Sequence, residues 1–239
     1  VLFRSVDFIY LDPARRDEHG SRTYAIEDCT PNVLELRDLL LAKSQYTLVK
    51  LSPMLDWRKA VADFDGTVRE VHIVATGNEC KELLLVLGQQ VHEEPSAPRV
   101  FCVNDNQRID YDSAAYTQGL RIGGKPLPEV KNYLYEPNAS IMKAGCFDLV
   151  EERFGVTQVG PSSHLFVSAT PVADFPGRGF AIEAIGGMNK KDIKRLLNGT
   201  KQANIAVRNF PLTAPQLRKK LKLADGGPVY LSGTTMQGC

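Results

Sequence analysis

Short apolar runs alternate with helical patterns through the first ninety residues, and that alternation leaves few folds open. Val6–Leu11, broken only by Asp7, reads as a buried strand. Thr30-Pro31 reads as a helix cap with proline at the first helical position. Leu34, Leu36, Leu39, Leu40 and Ala42 then make an apolar helix face. Residues 46–51 read as a second strand, stopped by Ser52-Pro53. Asp56 is placed to cap a short helix bearing Trp57, Val61 and Phe64. Asp65-Gly66 turns the chain into a strand over Val68–Thr76, and Gly77-Asn78 turns it back into residues 81–87. That last run also suits a helical turn, since short apolar runs fit both. The pattern predicts an α/β sheet ending in an antiparallel hairpin.

The rest of the chain is patchier. Residues 92–98 (HEEPSAP) read as a linker, residues 99–103 as a strand, and residues 104–127 as polar loops with little core. A second α/β unit starts near Tyr133. There Glu136-Pro137 opens one helix carrying Ile141, Met142, Cys146, Leu149, Val150 and Phe154, closed by Gly155. Strands over 164–169, 179–185, 203–210 and 229–231 follow. Between them lie a helix capped by Asn189 and another capped by Thr213.

No apolar run is long enough to cross a membrane, and no signal peptide is visible. Five scattered cysteines, with no Cys-x-x-Cys or Cys/His spacing, argue against a structural metal site and suit reduced thiols in a cytoplasm. Charge is uneven. Residues 1–95 carry a net −5, residues 96–160 −1, and residues 161–239 +7. Lys190, Lys191, Lys194, Arg195, Arg208, Arg218, Lys219 and Lys220 supply most of that basic end. They are candidate contacts to RNA phosphates, or solvated charges that serve solubility.

Asp12-Pro13-Ala14-Arg15 is the clearest candidate site. In open α/β sheets, ligands sit outside the carboxyl ends of the strands. There Asp12 can accept a hydrogen bond from a substrate amine or hydroxyl, Pro13 bares a carbonyl, and Arg15 can hold an anionic group. An ordinary Asp-Pro turn with solvated arginines is the competing reading. Lys50 and Ser52 end the next strand. If the two strands are parallel, they lie on the same edge, with Lys50 suited to an anionic group and Ser52 to donating a hydrogen bond. Tyr133, Tyr135 and Glu136 suit a recognition surface, with the tyrosine rings free to stack on bases, or else the pair splits between core and surface, since alternate strand residues face opposite sides. The four histidines (His19, His72, His92, His164) have no Ser, Cys or metal-ligand partners nearby in the pattern.

Three segments recur in order: Leu11-Asp12-Pro13-Ala14-Arg15-Arg16, Val49-Lys50-Leu51-Ser52-Pro53, and Tyr133-Leu134-Tyr135-Glu136-Pro137-Asn138 with Lys143-Ala144-Gly145. Together they resemble a bacterial family of class I S-adenosylmethionine-dependent methyltransferases with a ferredoxin-like insert and a C-terminal THUMP-like domain. The Asp-Pro motif resembles the Asp-Pro-Pro-aromatic tetrad of amino methyltransferases, with Ala14 and Arg15 in place of its last two residues. An Asp-Pro-Pro-Arg form occurs in enzymes acting on pyrimidine C5, which need a cysteine nucleophile. Val74-Ala75-Thr76-Gly77-Asn78, the equivalent region, has none, and Cys80 is misplaced. The resemblance implies an α/β fold: the C-terminal half of a Rossmann-like methyltransferase sheet over 1–92, a ferredoxin-like unit over 99–165 and a THUMP-like basic unit over 166–239. It implies methyl transfer to RNA (tRNA or rRNA) from S-adenosylmethionine, with Asp12, Pro13, Arg15, Lys50 and Ser52 on the acceptor side. The family's glycine-rich cofactor loop finds no match here, so the chain is expected to be a fragment, inactive alone. Two other readings stay open: an RNA-binding module with an α/β scaffold, and a small-molecule methyltransferase.

Overall fold

The computed structural model describes residues 5–14, 26–89, 97–116, 127–160 and 162–236. Its elements run β1 (Val6–Leu11), α1 (Val33–Lys43), β2 (Ser44–Leu51), α2 (Trp57–Asp63), β3 (Val68–Thr76), β4 (Glu79–Gly88), β5 (Arg99–Asn104) and β6 (Gln107–Asp112). Then come β7 (Tyr133–Pro137), α3 (Ala139–Ala144), α4 (Phe147–Phe154), β8 (Thr157–Gln158), β9 (Phe166–Ser168) and β10 (Gly177–Ala181). α5 (Lys190–Leu197), β11 (Asn204–Arg208), α6 (Ala214–Leu221) and β12 (Tyr230–Thr234) complete the chain. They form two compact units, residues 1–119 with 138–146, and residues 120–137 with 147–239.

The first unit is a six-stranded sheet in the order β1-β2-β4-β3-β5-β6. β1 and β2 are parallel, β4 inserts antiparallel between β2 and β3, and β5 runs parallel to β3. The expected half-sheet ending in an antiparallel hairpin is borne out. Residues 81–87 lie in a strand, since β4 pairs along both of its edges.

Strand alternation sorts the side chains into two faces. Val49, Leu85, Val71, Val100 and Tyr111 lie on one rung across five strands, and all are buried. α3 packs on β3, β4 and β5, and α1 on β2. The next rung, Tyr10, Leu48, Val86, Glu70, Arg99 and Asp112, faces the other way, and none of its residues is buried.

Local chemistry sets the boundaries. The Asp56 carboxylate caps α2 by accepting from the Arg58 and Lys59 amides at 2.8 and 3.0 Å. Those bonds hold its pKa below the ordinary carboxylate range. α2 is tethered to α3, because the Trp57 indole and the Arg58 guanidinium both donate to the Ala144 carbonyl, at 3.2 and 3.0 Å.

Five expectations are corrected. Val6–Leu11 is a strand but not a buried one. Val6, Phe8 and Tyr10 are about half exposed because, among the described residues, β1 pairs only with β2 and its outer face has no cover. The cap of α1 is Asn32, whose side chain accepts from the Leu34 amide. Thr30 is unavailable, its backbone being paired with Ala14. The apolar face of α1 is narrower than expected, with Val33 and Leu40 buried and Leu39 and Ala42 exposed. Residues 104–127 are not all loop, since β6 lies within them and buries Ile109 and Tyr111 at period two. Lastly, the single helix over 137–154 is two, separated at Gly145, which adopts φ +67°.

The second unit holds an antiparallel sheet in the order β10-β7-β9-β8 and a parallel pair, β11-β12. α5 is capped by Asn189, and α6 by Thr213 with Gln216 in a reciprocal capping box. Leu217, Leu221, Leu223 and Ala203 form a small core beneath β11 and β12.

Candidate functional site

The parallel pairing of β1 and β2 brings two predicted residues together at one sheet edge. Leu11 lies opposite Val49, so Asp12 falls beside Lys50 just past the end of β1. The Lys50 ammonium donates to Asp12 Oδ2 at 3.0 Å and lies 3.5 Å from Glu82 Oε1 on β4. Both carboxylates stabilise the ammonium and raise the Lys50 pKa, the Asp12 hydrogen bond being the largest cause. Asp12 keeps about half of its side-chain surface in solvent. A pair this open contributes only about 0–1 kcal/mol to stability. What it supplies is position, because a lysine held between two carboxylates holds the Asp12 side chain at the strand end.

That geometry changes the part expected of Lys50. With two carboxylates on one ammonium the cluster carries a net negative charge, which disfavours an anionic group there. Ser52 also plays a local part. It is buried, and its hydroxyl accepts from the Met54 amide at 3.2 Å, shaping the turn into α2. Pro13 is buried behind Asp12, and Ala14 exchanges backbone bonds of 2.8 and 3.0 Å with Thr30, which anchors the loop leaving β1. Arg15 and Arg16 lie outside the described residues, as do His19, His92 and most of the expected linker. Glu82 was missed in the sequence, since only the register of β4 against β2 shows that it meets Lys50.

The basic residues of the second unit fall into different settings. Lys190, Lys191 and Lys194 are exposed on α5, and Lys219 and Lys220 on α6. Arg195 is engaged by the Ile185 carbonyl at 2.7 Å and by Asp192. Arg218 is committed to the Ala203 and Ala224 carbonyls, both at 2.9 Å, and to Asp225 at 2.5 Å. It staples the end of α6 to the loop after it, and little of its donor capacity is left for a phosphate. Arg208 instead joins Arg178 on Glu136, one guanidinium to each carboxylate oxygen. Tyr135 is core: it packs on Phe175 at 4.8 Å, and its hydroxyl accepts from the Val172 amide.

Among the described residues there is no group of three or more His, Cys, Asp or Glu side chains able to hold a metal ion, and no helix is long and apolar enough to cross a membrane.

Residues 133–176 match a ferredoxin-like domain, and residues 177–239 match a THUMP-like domain. No curated protein matches the chain. Among solved structures, the chain is similar to a putative methyltransferase from Porphyromonas gingivalis W83, with a TM-score of 0.82 and 36% identity. The match covers 96% of this chain and 56% of that one, so the chain spans little more than half the length of this relative. The resemblance drawn from the three ordered motifs is borne out: a ferredoxin-like domain precedes a THUMP-like one, in a fold shared with that relative.

Proposed function

We propose that this chain is the acceptor-side part of an S-adenosylmethionine-dependent methyltransferase that acts on RNA. The reading rests on Asp12, placed at the carboxyl end of β1 beside Lys50 at the end of parallel β2, in a fold shared with the Porphyromonas gingivalis protein. In such sheets this edge is where ligands sit. Asp12 accepts a hydrogen bond from the attacking amine or hydroxyl and orients its lone pair, a matter of proximity and alignment. Lys50, shared with Glu82, holds the Asp12 carboxylate in place.

The described residues of this chain do not fit S-adenosylmethionine by themselves. The turns leaving β1 and β2 are Asp-Pro and Ser-Pro turns, not glycine-rich cradles for a nucleotide. We place cofactor binding in polypeptide equivalent to the share of the relative that this chain does not cover. RNA as the substrate rests on the THUMP-like match and on the net +7 of residues 161–239.

The test is transfer of a tritiated methyl group from S-adenosylmethionine to bacterial RNA by the product of the complete reading frame. Labelled RNA is expected, with incorporation falling at least a hundredfold in Asp12→Ala at an unchanged thermal midpoint. Incorporation by Asp12→Ala equal to the parent's would overturn the assignment.

A further inference from the structure

The first unit holds a pair of buried thiols that none of the motifs pointed to. Cys102 lies on β5, on the strand face it shares with buried Val100, and α3 packs on that strand. Cys146 follows Gly145, the residue that ends α3. Both thiols are free, Cys102 at 1% and Cys146 at 4% exposure. They hydrogen-bond to one another. Two cysteines on different elements with their sulfurs in contact need only lose two electrons and two protons to become bonded.

The surroundings of Cys146 are those of an attacking thiol. The Arg58 guanidinium lies against the turn just before it, donating to the Ala144 carbonyl at 3.0 Å and 3.6 Å from where a Cβ on Gly145 would stand. The Tyr111 hydroxyl, on the strand that pairs with β5, is buried near Cys146 and makes no well-formed hydrogen bond. A buried donor left open costs free energy, and a charged sulfur beside it would satisfy it. The hydrogen bond from Cys102, with help from Tyr111 and the Arg58 charge, holds the Cys146 pKa below that of an ordinary thiol against the effect of burial. The thiolate is the form that reacts. So little of Cys146 is open that its oxidant must be close to water in size, and hydrogen peroxide is.

We infer that Cys146 and Cys102 form a reversible modification site for hydrogen peroxide, Cys146 attacking and Cys102 closing a disulfide. The Cys146 sulfur attacks one peroxide oxygen. The O–O bond breaks, the departing hydroxide takes up the thiol proton as water, and Cys146 becomes a sulfenic acid. The Cys102 sulfur then attacks the sulfenic sulfur, and the S–OH oxygen leaves with the Cys102 proton as a second water. The two thiols are oxidised by two electrons, and one peroxide is reduced to two waters. The bond ties the end of α3 to β5, next to the carbonyl on which Trp57 and Arg58 already converge.

In the experiment the full chain, reduced and then freed of reductant, is exposed to hydrogen peroxide, denatured in N-ethylmaleimide and mapped by mass spectrometry without reduction. Cys102 and Cys146 are expected in one cross-linked peptide pair, with three of the five cysteines labelled. Dithiothreitol before labelling is expected to restore all five. Cys102→Ser should leave a sulfenic acid on Cys146 that dimedone captures, and Cys146→Ser should leave Cys102 without dimedone. Circular dichroism confirms that each variant is folded. Five labelled cysteines after peroxide would overturn the site, as would a bridge to Cys29, Cys80 or Cys239 in place of this pair. Loss of label that dithiothreitol does not restore would overturn its reversibility. These results come from the parent chain and need no variant to fold. Dimedone on Cys102 in Cys146→Ser, with none on Cys146 in Cys102→Ser, would overturn the assigned roles.

Discussion

His164 illustrates how one residue's surroundings become a measurable property. Its ring stacks on Phe147 at 4.5 Å, and burial, helped by the positive charge of Arg208, lowers its pKa below the ordinary 6.5. Below that pH the unfolded chain binds a proton at this position that the folded chain resists. This group's contribution to stability is therefore complete above about pH 6.5 and declines as pH falls through that value. Urea midpoints should drop between pH 7.5 and 5.5, and the drop should be smaller in His164→Asn. Asparagine is the conservative choice because it tolerates the left-handed backbone (φ 53°) that His164 adopts. An identical pH slope in both proteins would refute the assignment. The buried thiols behave differently. Cys102 and Cys146 hydrogen-bond to one another inside the first unit, and that bond, together with burial, pushes the Cys102 thiol up, away from the reactive thiolate.

At the scale of elements, capping residues and turn glycines were the most legible signals. Asp56, Asn189 and Thr213 each cap the helix expected of them, because a side-chain oxygen meeting free amides is a local event. The break between α3 and α4 was invisible for the opposite reason. Ile141, Cys146, Leu149 and Val150 are buried on both sides of it, so apolar content alone suggested one continuous helix. Gly145 ends α3 in the left-handed region, and an added Cβ would lie 3.6 and 3.7 Å from the Arg58 guanidinium. The space is adequate, so the cost of Gly145→Ala comes from the backbone, about 1–2 kcal/mol. Equilibrium urea unfolding should show that loss with an unchanged m-value, and a variant as stable as the parent would exclude strain at this turn. The missed strand β6 has a similar origin. Its inward residues, Ile109 and Tyr111, are only two, too few to stand out in a polar segment until β5 pairs with them.

For the molecule as a whole, the dominant feature among the described residues is the exposed apolar side of β1 and its neighbour β2. Val6, Phe8 and Tyr10 share that face with Tyr46, which lies opposite Phe8, and all four are about half exposed. Contiguous apolar surface of this kind marks an interaction site or an association liability, and β1 adds a strand edge that can pair further. The native chain should bind the dye ANS, and Phe8→Glu/Tyr10→Lys should cut that fluorescence by at least half without lowering the thermal midpoint. Equal fluorescence in the variant would place the dye elsewhere. The sequence by itself determined the order of elements, the caps, the three ordered motifs and the basic end, because each depends on residues close together in the chain. Only the tertiary structure decided which candidates meet. Sheet register set Asp12, Lys50 and Glu82 side by side and left β1 exposed, while the packing of α6 drew Arg218 into backbone bonds. Arg178 and Arg208 converge on Glu136 because two sheets face each other, and register and facing are long-range pairings that no local pattern encodes.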